Sequence, residues 1–245
     1  MKKITGCLLF LVSFMVLITG CVSGSSSSQV NSTLPVLTST PVVQTPVIEE
    51  YLPATTAENN TGKDRFPVKF VIDSQNSVIS YTVDETFLNQ NNRLATAVGK
   101  TSEITGELEI DLRNPSNISF GEFVVNIQTL RSDSSRRDSA IQNRWLESAK
   151  FPLARFNVRE VKDFPQDPKE NETIKFQIIG ELTIRETTRP VTWDVSAMLK
   201  GDQILGKATT FIYMADWGIE PPSIAGVLTV KDGVTLNLEF AFLKQ

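Results

Sequence analysis

The stretch Thr235-Leu236-Asn237-Leu238-Glu239-Phe240-Ala241-Phe242 places an apolar side chain at every second position. Successive side chains of a β-strand point to opposite faces, so this alternation predicts a strand with one buried face and one exposed face. Five other runs share the period of two, at residues 79–83, 108–112, 123–127, 176–184 and 193–197. Turn-forming residues separate the runs, at 113–115, 167–168, 200–202 and 231–233. The pattern predicts an all-β fold, an antiparallel barrel or sandwich.

A single segment departs from this period, between residues 135 and 152. Ser135 followed by Asp138 has the spacing of an N-terminal helix cap, and Phe151-Pro152 ends the run. Helical spacing then defines one apolar face, made of Ile141, Trp145, Leu146 and Ala149. We therefore expect one short amphipathic helix between strands, covering one end of the β core.

The first 21 residues have the parts of an export signal. Lys2 and Lys3 form a basic start, residues 8–18 are an apolar run of 11, and Thr19-Gly20 are small enough for a peptidase site. A run of this length is too short to span a bilayer as a helix, which takes about 20 residues. Because Cys21 directly follows the small pair, the sequence predicts a bacterial lipoprotein signal peptide at residues 1–20 and lipid attachment at Cys21.

Lipidation at Cys21 would anchor the chain through several acyl chains, palmitate among them, and stable anchoring needs at least two. The predicted location is the cell envelope, with the chain anchored to a membrane and facing outside the cytoplasm. An ordinary secretory signal with an incidental cysteine, or an uncleaved anchor, also fits this stretch. Both alternatives still carry the rest of the chain out of the cytoplasm.

Composition divides the remaining chain near residue 65. Residues 21–65 are rich in Ser, Thr and Pro, which predicts a disordered tether, although a glycosylated stalk or a docking peptide has the same composition. Residues 66–245 number 180, enough for one domain with its own hydrophobic core. Cys7 lies inside the predicted signal peptide, so the mature chain would form no internal disulfide.

Charge and residue usage exclude several classes of function. Removal of Lys2 and Lys3 leaves 22 basic and 28 acidic residues, a net charge of −6, so nucleic acid is not an expected partner. The chain contains no histidine, which excludes Ser-His-Asp catalysis and histidine-ligated zinc or haem. The acidic row Glu107, Glu109 and Asp111 is typical of a solvated outer face, and no metal site is predicted. We expect a protein that is not an enzyme.

Three motifs then occur in order along the predicted domain. The first runs from Arg136-Arg137-Asp138 to Leu146, Lys150-Phe151-Pro152 and Phe156. The second and more specific one is Gly180-Glu181-Leu182-Thr183-Ile184 followed by Thr188-Arg189-Pro190-Val191, and the third is Asp216-Trp217-Gly218-Ile219. Together they resemble the YceI family over about residues 66–242. Trp217 stands where that family more often has Phe, and the histidines that many members carry after the first strand are absent from residues 73–84.

The resemblance implies a lipocalin-like antiparallel barrel of about eight strands that holds a long apolar molecule. Members of the family are associated with polyisoprenoids, including isoprenoid quinones, and with fatty amides. An eight-stranded barrel encloses either packed side chains or one ligand, and alternation is the same in both cases. The candidate cavity-lining residues are Tyr81, Phe123, Val125, Trp145, Phe156, Phe176, Ile178, Trp193, Phe211, Tyr213, Trp217 and Phe240.

The expected function is therefore a membrane-tethered binding protein that sequesters or carries an apolar lipid, an isoprenoid. No cofactor is expected apart from a bound isoprenoid, quinone or fatty acid derivative as the ligand. One alternative is an envelope scaffold with a filled barrel that acts through its surface. Another is a lipid-modifying enzyme, which would need a polar group inside the cavity, with Asp216 and Tyr213 as the first candidates.

Overall fold

The computed structural model describes residues 67–111, 113–115 and 117–245. The predicted signal peptide at residues 1–20, the lipid attachment at Cys21 and the tether at 21–65 lie outside the described residues. Leu112, at the end of one alternating run, also lies outside them. The thirteen strands described below belong to one compact unit.

Thirteen strands form one antiparallel sheet within the described part of the chain. They are β1 (Val68–Ile72), β2 (Val78–Phe87), β3 (Arg93–Thr101), β4 (Ile104–Thr105), β5 (Glu107–Ile110), β6 (Ile118–Phe120), β7 (Phe123–Asn126), β8 (Leu153–Lys162), β9 (Ile174–Ile184), β10 (Thr187–Lys200), β11 (Gln203–Tyr213), β12 (Ser223–Ile224) and β13 (Leu228–Lys244). The all-β fold class is confirmed.

Short breaks interrupt some of the long strands of the barrel, so the strands group into eight long segments, which we call staves. β1 and β2 form one stave, β3 to β5 a second and β6 with β7 a third, while β8, β9, β10, β11 and β13 are continuous. Each stave pairs with the next along the chain, and β13 pairs with both β1 and β2, so the last stave returns to the first. This up-and-down order is that of the lipocalin-like barrel, which the resemblance to the YceI family implied.

The ring has one weak seam. Residues 93–99 of β3 pair with β2 alone. The second stave meets the third through β4 with β7, β5 with β6 and one bridge from Lys100 to Arg131. The helical segment follows β7 in the chain, after Arg131. It consists of α1 (Ser135–Ala140) and a π-helical turn (Ile141–Trp145).

The helix differs in detail from the prediction. Ser134, not Ser135, caps the helix, because its hydroxyl accepts a hydrogen bond from the Arg137 backbone N–H at 3.3 Å. Asp138 instead accepts from the backbone N–H and the hydroxyl of Ser132, at 3.0 and 2.7 Å. The α-helix is only six residues long, and Ala149 is exposed beyond the π-helical turn.

Three 3₁₀ turns complete the regular structure of the described residues, at Leu88–Gln90, Ile127–Thr129 and Met214–Trp217. Among the described residues, no helix combines the length and the apolar character that a bilayer-crossing helix needs. The core lies inside the barrel, where alternate residues of the long strands are buried, as at Val191, Trp193, Val195 and Ala197 of β10.

Candidate lipid-binding cavity

The interior of the barrel is hollow. A cavity of about 690 Å³ extends among the inward-facing side chains of the staves. Its wall is apolar along most of its length, with Leu182, Trp193 and Phe240 as examples. The volume falls within the range of about 300–1,000 Å³ that is usual for small-molecule sites. A barrel filled by its own side chains would leave no such space, so the filled-core alternative does not describe this structure.

Small inward-facing residues create the space. Ala154, Ala197 and Ala208 stand at buried positions of the wall where a leucine or phenylalanine would fill part of the cavity. Large aromatic side chains of the wall lie against glycines of neighbouring strands, which leaves the space free. A Cβ atom at Gly206 would come within 2.5 Å of the Phe240 ring and 2.4 Å of the Ser196 carbonyl oxygen. The glycine therefore lets the ring lie flat against the wall rather than across the cavity.

Aromatic contacts hold several wall residues in place. Phe156 and Trp193 meet edge to face with ring centroids 6.1 Å apart, and Phe240 meets Phe242 in the same way at 5.5 Å. Phe123 also packs edge-on against Phe242, at 6.2 Å. Edge-to-face pairs are favourable and restrict rotation of the rings. These contacts give the wall a fixed shape.

The helical segment closes part of one end of the cavity. Arg137 and Ala140 of α1, and Ile141 and Trp145 of the π-helical turn, contribute to the lining, and so does Leu146. An ion pair fixes this segment to the barrel, because Arg137 bonds to both carboxylate oxygens of Glu85 on β2, at 3.1 and 2.9 Å. Both partners are largely buried, with side-chain exposures of 18% for Arg137 and 5% for Glu85.

Arg137 is held as a cation by this arrangement. Burial lowers its pKa, but hydrogen bonds to Glu85 and to Asp133 outweigh that effect and raise the pKa above its ordinary value. Arg137 and Glu85 thus neutralise each other, while Arg136 of the same helix also lines the cavity and is exposed. An anionic headgroup would have to compete with Glu85 and Asp133 for Arg137.

Two other polar groups of lining residues are buried without a hydrogen-bond partner, the Tyr81 hydroxyl and the Trp193 indole N–H. The Tyr81 ring lies against Gly99, where a Cβ atom would come within 2.2 Å of it. Burial raises the pKa of Tyr81 to about 12, so the phenol is neutral at ordinary pH. Both groups are covered by protein atoms and add little polarity to the free surface of the cavity.

The structure places ten of the twelve candidate residues in the wall of the cavity. They are Tyr81, Phe123, Val125, Trp145, Phe156, Phe176, Ile178, Trp193, Trp217 and Phe240. Their contact with a ligand stays a prediction. Sequence reasoning missed the alanines and the Glu85–Arg137 pair. Glu85 continues the inward series of Tyr81 and Val83 along β2, which is the signal that could have found it.

The predicted inward positions of Phe211 and Tyr213 are wrong. Their side chains are 57% and 52% exposed, and they contact each other edge to face on the outside of β11. Their neighbours Thr210 and Ile212 are buried instead, since side chains alternate across a strand. This part of β11 carries apolar residues on both faces, so the sequence did not show which of its side chains point into the barrel.

The two polar residues considered for a lipid-modifying enzyme lie away from the cavity. Asp216 is exposed, and its backbone oxygen accepts a hydrogen bond from Arg189 at 2.9 Å, while Tyr213 is on the outer surface. The acidic row is also solvated, with Glu107 paired to Lys69 at 2.6 Å. Across the residues with described positions, no group of three acidic, Cys or His side chains could hold a metal ion.

Comparison with known proteins agrees with this architecture. Residues 70–242 match the family of YceI-like domains. The Protein YceI of Salmonella arizonae is 29% identical over 109 residues, which cover 44% of this chain and 52% of that protein. A UPF0312 protein of Enterobacter is 28% identical over the same length. The chain thus spans about half the length of the curated relatives it matches.

Two solved structures share the fold. BcnA of Burkholderia cenocepacia has a TM-score of 0.53 at 14% identity, covering 69% of this chain and 98% of that one. A domain from Saccharophagus degradans, described as polyisoprenoid-binding and implicated in plant cell wall breakdown, has a TM-score of 0.53 at 13% identity, covering 72% and 98%. The fold and its hollow interior define a lipocalin-like barrel. Because the family match covers well over half of the sequence, the chain belongs to the family of YceI-like domains.

Proposed function

We propose that this protein binds an elongated apolar lipid, an isoprenoid, inside the barrel. The observation that carries the proposal is the apolar cavity of about 690 Å³. Burial of an apolar chain there would contribute about 25 cal/mol for each Å² removed from water, before ordering costs. The domain from Saccharophagus degradans is described as polyisoprenoid-binding, which supports the choice of ligand class. Rings such as Trp193 and Phe156 suit contact with an unsaturated chain.

The three tryptophans of the chain provide a direct test, because Trp145, Trp193 and Trp217 all line the cavity. An isoprenoid quinone in the cavity would quench their fluorescence. We expect saturable quenching at one equivalent of quinone, reversed by an isoprenoid alcohol that competes without quenching. Quenching that rises in proportion to the quinone, with no saturation and no competition, would contradict binding in the cavity.

The proposal includes a binding role without a catalytic step. In its support, Glu85 and Arg137 are engaged with each other, and Asp216 and Tyr213 lie outside the cavity. Recovery of an isoprenoid chemically unchanged after prolonged incubation with the protein is the expected result. Appearance of a shortened, oxidised or conjugated product would contradict this part of the proposal.

We also propose that the protein is a lipoprotein of the cell envelope, attached through Cys21 and facing outside the cytoplasm. The support is the sequence of residues 1–21, with its basic start, short apolar run and small pair before the cysteine. The chain labelled with a palmitate analogue in its host should carry the label, and Cys21→Ala should lose it. Equal labelling of both chains would contradict attachment at this cysteine.

A further inference from the structure

One end of the barrel extends beyond the staves as a lip, which we define as residues 86–94 and 222–230. β11 ends where Tyr213 pairs with Gly233, but β13 begins earlier, at Leu228. In this overhang, β13 pairs with β12 on one side and with the end of β2 on the other. The pairing of β13 with β2 shifts in register between Val230 and Val234, and such a bulge bends a strand. The lip is thus set off from the barrel wall.

The lip exposes apolar side chains on the outside and joins the cavity on the inside. Leu88, Leu94, Ile224 and Val227 are 38%, 74%, 44% and 39% exposed. Ile224 and Val227 also belong to the cavity lining, together with Phe87 and Leu228. Leu88 and Val227 are neighbours, since the Leu88 backbone N–H donates to the Val227 carbonyl oxygen at 2.8 Å. Apolar surface therefore continues from the exterior into the cavity.

Exposed apolar side chains are concentrated at this end of the barrel. Neighbouring staves run antiparallel, so the ends of β2 and β11 lie at the same end as the starts of β3, β8 and β13. All but one of the large, exposed apolar residues of the described chain lie there: Leu88, Leu94, Leu153, Phe211, Tyr213, Ile224 and Val227. The exception is Val98, in the middle of β3.

The lip itself carries little charge. The 18 residues of the lip include a single charged side chain, Arg93, whose guanidinium lies 4.6 Å from the Phe87 ring centroid. At the opposite end, the connection from β8 to β9 exposes four acidic side chains, Asp163, Asp167, Glu170 and Glu172. Burial of the lip among lipids would desolvate almost no charge, and an arginine on an apolar surface extends its head to water.

We propose that the lip docks on the surface of a phospholipid bilayer, so that the cavity opens toward the membrane in which an apolar lipid is dissolved. Large exposed apolar patches mark interaction sites, and this one is continuous with the cavity. The inference rests on the proposed function, because a membrane contact at the cavity gives the ligand an apolar path. Leu88, Leu94, Ile224 and Val227 enter the interface, and Arg93 meets the headgroups.

The contact is tested on the full chain with vesicles of phosphatidylethanolamine and phosphatidylglycerol. Leu88→Cys carries an environment-sensitive dye in the lip, and Asp167→Cys carries it at the opposite end, in the connection from β8 to β9. The unsubstituted chain, treated in the same way, gives the background from Cys7 and Cys21. We expect a blue shift and quenching by nitroxide-labelled acyl chains at residue 88 only. Equal responses at both positions, or no response at residue 88, would overturn the proposal.

A second experiment separates the lip from the cavity. Leu88 and Leu94 are absent from the cavity lining, so Leu88→Ser combined with Leu94→Ser should slow quinone uptake from vesicles about tenfold, because apolar contact with the membrane is lost. Quinone added in dilute ethanol should give the same final quenching of tryptophan as in the wild type. Val98→Ser, which removes an exposed apolar side chain elsewhere on β3, should leave uptake unchanged.

The outcomes distinguish the two proposals. Uptake by the double variant at the rate of the wild type would contradict a role of the lip. A wild-type chain whose residue 88 enters the bilayer but whose tryptophans are never quenched would contradict the proposed function and leave the docking surface supported.

Discussion

At the scale of single residues, two neighbouring positions of β11 face opposite sides of the barrel wall, one the cavity and the other the solvent. Ala208 is buried in the cavity wall, whereas Thr209 is exposed and its hydroxyl donates to Asn237 at 3.0 Å. A large side chain therefore has a different consequence at each of these two positions. It occupies ligand space at residue 208 and projects into solvent at residue 209.

We predict that Ala208→Trp reduces isoprenoid binding by at least about tenfold, since the indole takes space within the cavity that the lipid would need. Thr209→Trp adds the same side chain on the outer face and should bind as the wild type does. Binding is measured by competition against a fluorescent isoprenoid, and unfolding curves confirm that both variants are folded. Unaltered affinity in folded Ala208→Trp would contradict the placement of the ligand.

Tyr81 gives a prediction on pH dependence. Burial raises its pKa from 10.0 to about 12, so between these values the unfolded chain loses the phenol proton before the folded chain does. The free energy of unfolding should therefore fall as the pH rises from about 10 to about 12. Tyr81→Phe should remove the last component of the tyrosinate absorbance titration and flatten this fall. If the absorbance titrations of the wild type and Tyr81→Phe differed only in amplitude and not in midpoint, Tyr81 would not be buried as described.

The sequence predicted the direction of most wall residues but not of every one. Alternation works at Trp193, where the polar neighbours Thr192 and Asp194 mark the other face, and at Phe240, which follows the exposed Glu239. It fails at Phe211 and Tyr213, where Ile212 between them is also apolar and the strand offers no polar reference. The inward direction of Glu85 could have been predicted from the alternation along β2, but its pairing with Arg137 could not, because the two residues are 52 positions apart and only the fold brings them together.

At the scale of elements, the helical segment matters because an ion pair joins it to β2 and because it lines the cavity. Its start depends on Ser134, whose hydroxyl accepts from the Arg137 backbone N–H. A local pattern of Ser and Asp predicted a cap one residue later, at Ser135. Several serines lie near the start of this helix, and spacing alone does not show which of them is the cap. Asp138 bonds to Ser132, a contact that no spacing rule includes.

We predict that Ser134→Ala lowers the free energy of unfolding by about 1 kcal/mol, the usual cost of losing an N-terminal cap. Ser135→Ala is the matched control, because Ser135 is exposed and its side chain does not cap the helix. Chemical denaturation measures both effects. A larger loss in Ser135→Ala than in Ser134→Ala would return the cap to the position that the sequence suggested.

At the scale of the whole molecule, the order of the staves follows from the sequence, whereas the hollow interior does not. Period-two runs separated by turn residues predicted antiparallel strands in a barrel or sandwich, and the resemblance to the YceI family implied the barrel, which the structure confirms. Alternation is the same for a filled and a hollow barrel, so the volume could not be predicted. It depends on alanines such as Ala197 and Ala208 and on glycines that let rings lie against the wall.

The most direct test of the central claim is native mass spectrometry of the full chain purified from its own host, followed by organic extraction. A hollow apolar cavity of about 690 Å³ should not remain empty in a lipid-containing cell. We predict a stoichiometric adduct that is released by organic solvent and identified as an isoprenoid. A clean mass of the protein alone, unshifted after incubation with isoprenoids, quinones and fatty acids, would contradict lipid binding as the function of this barrel.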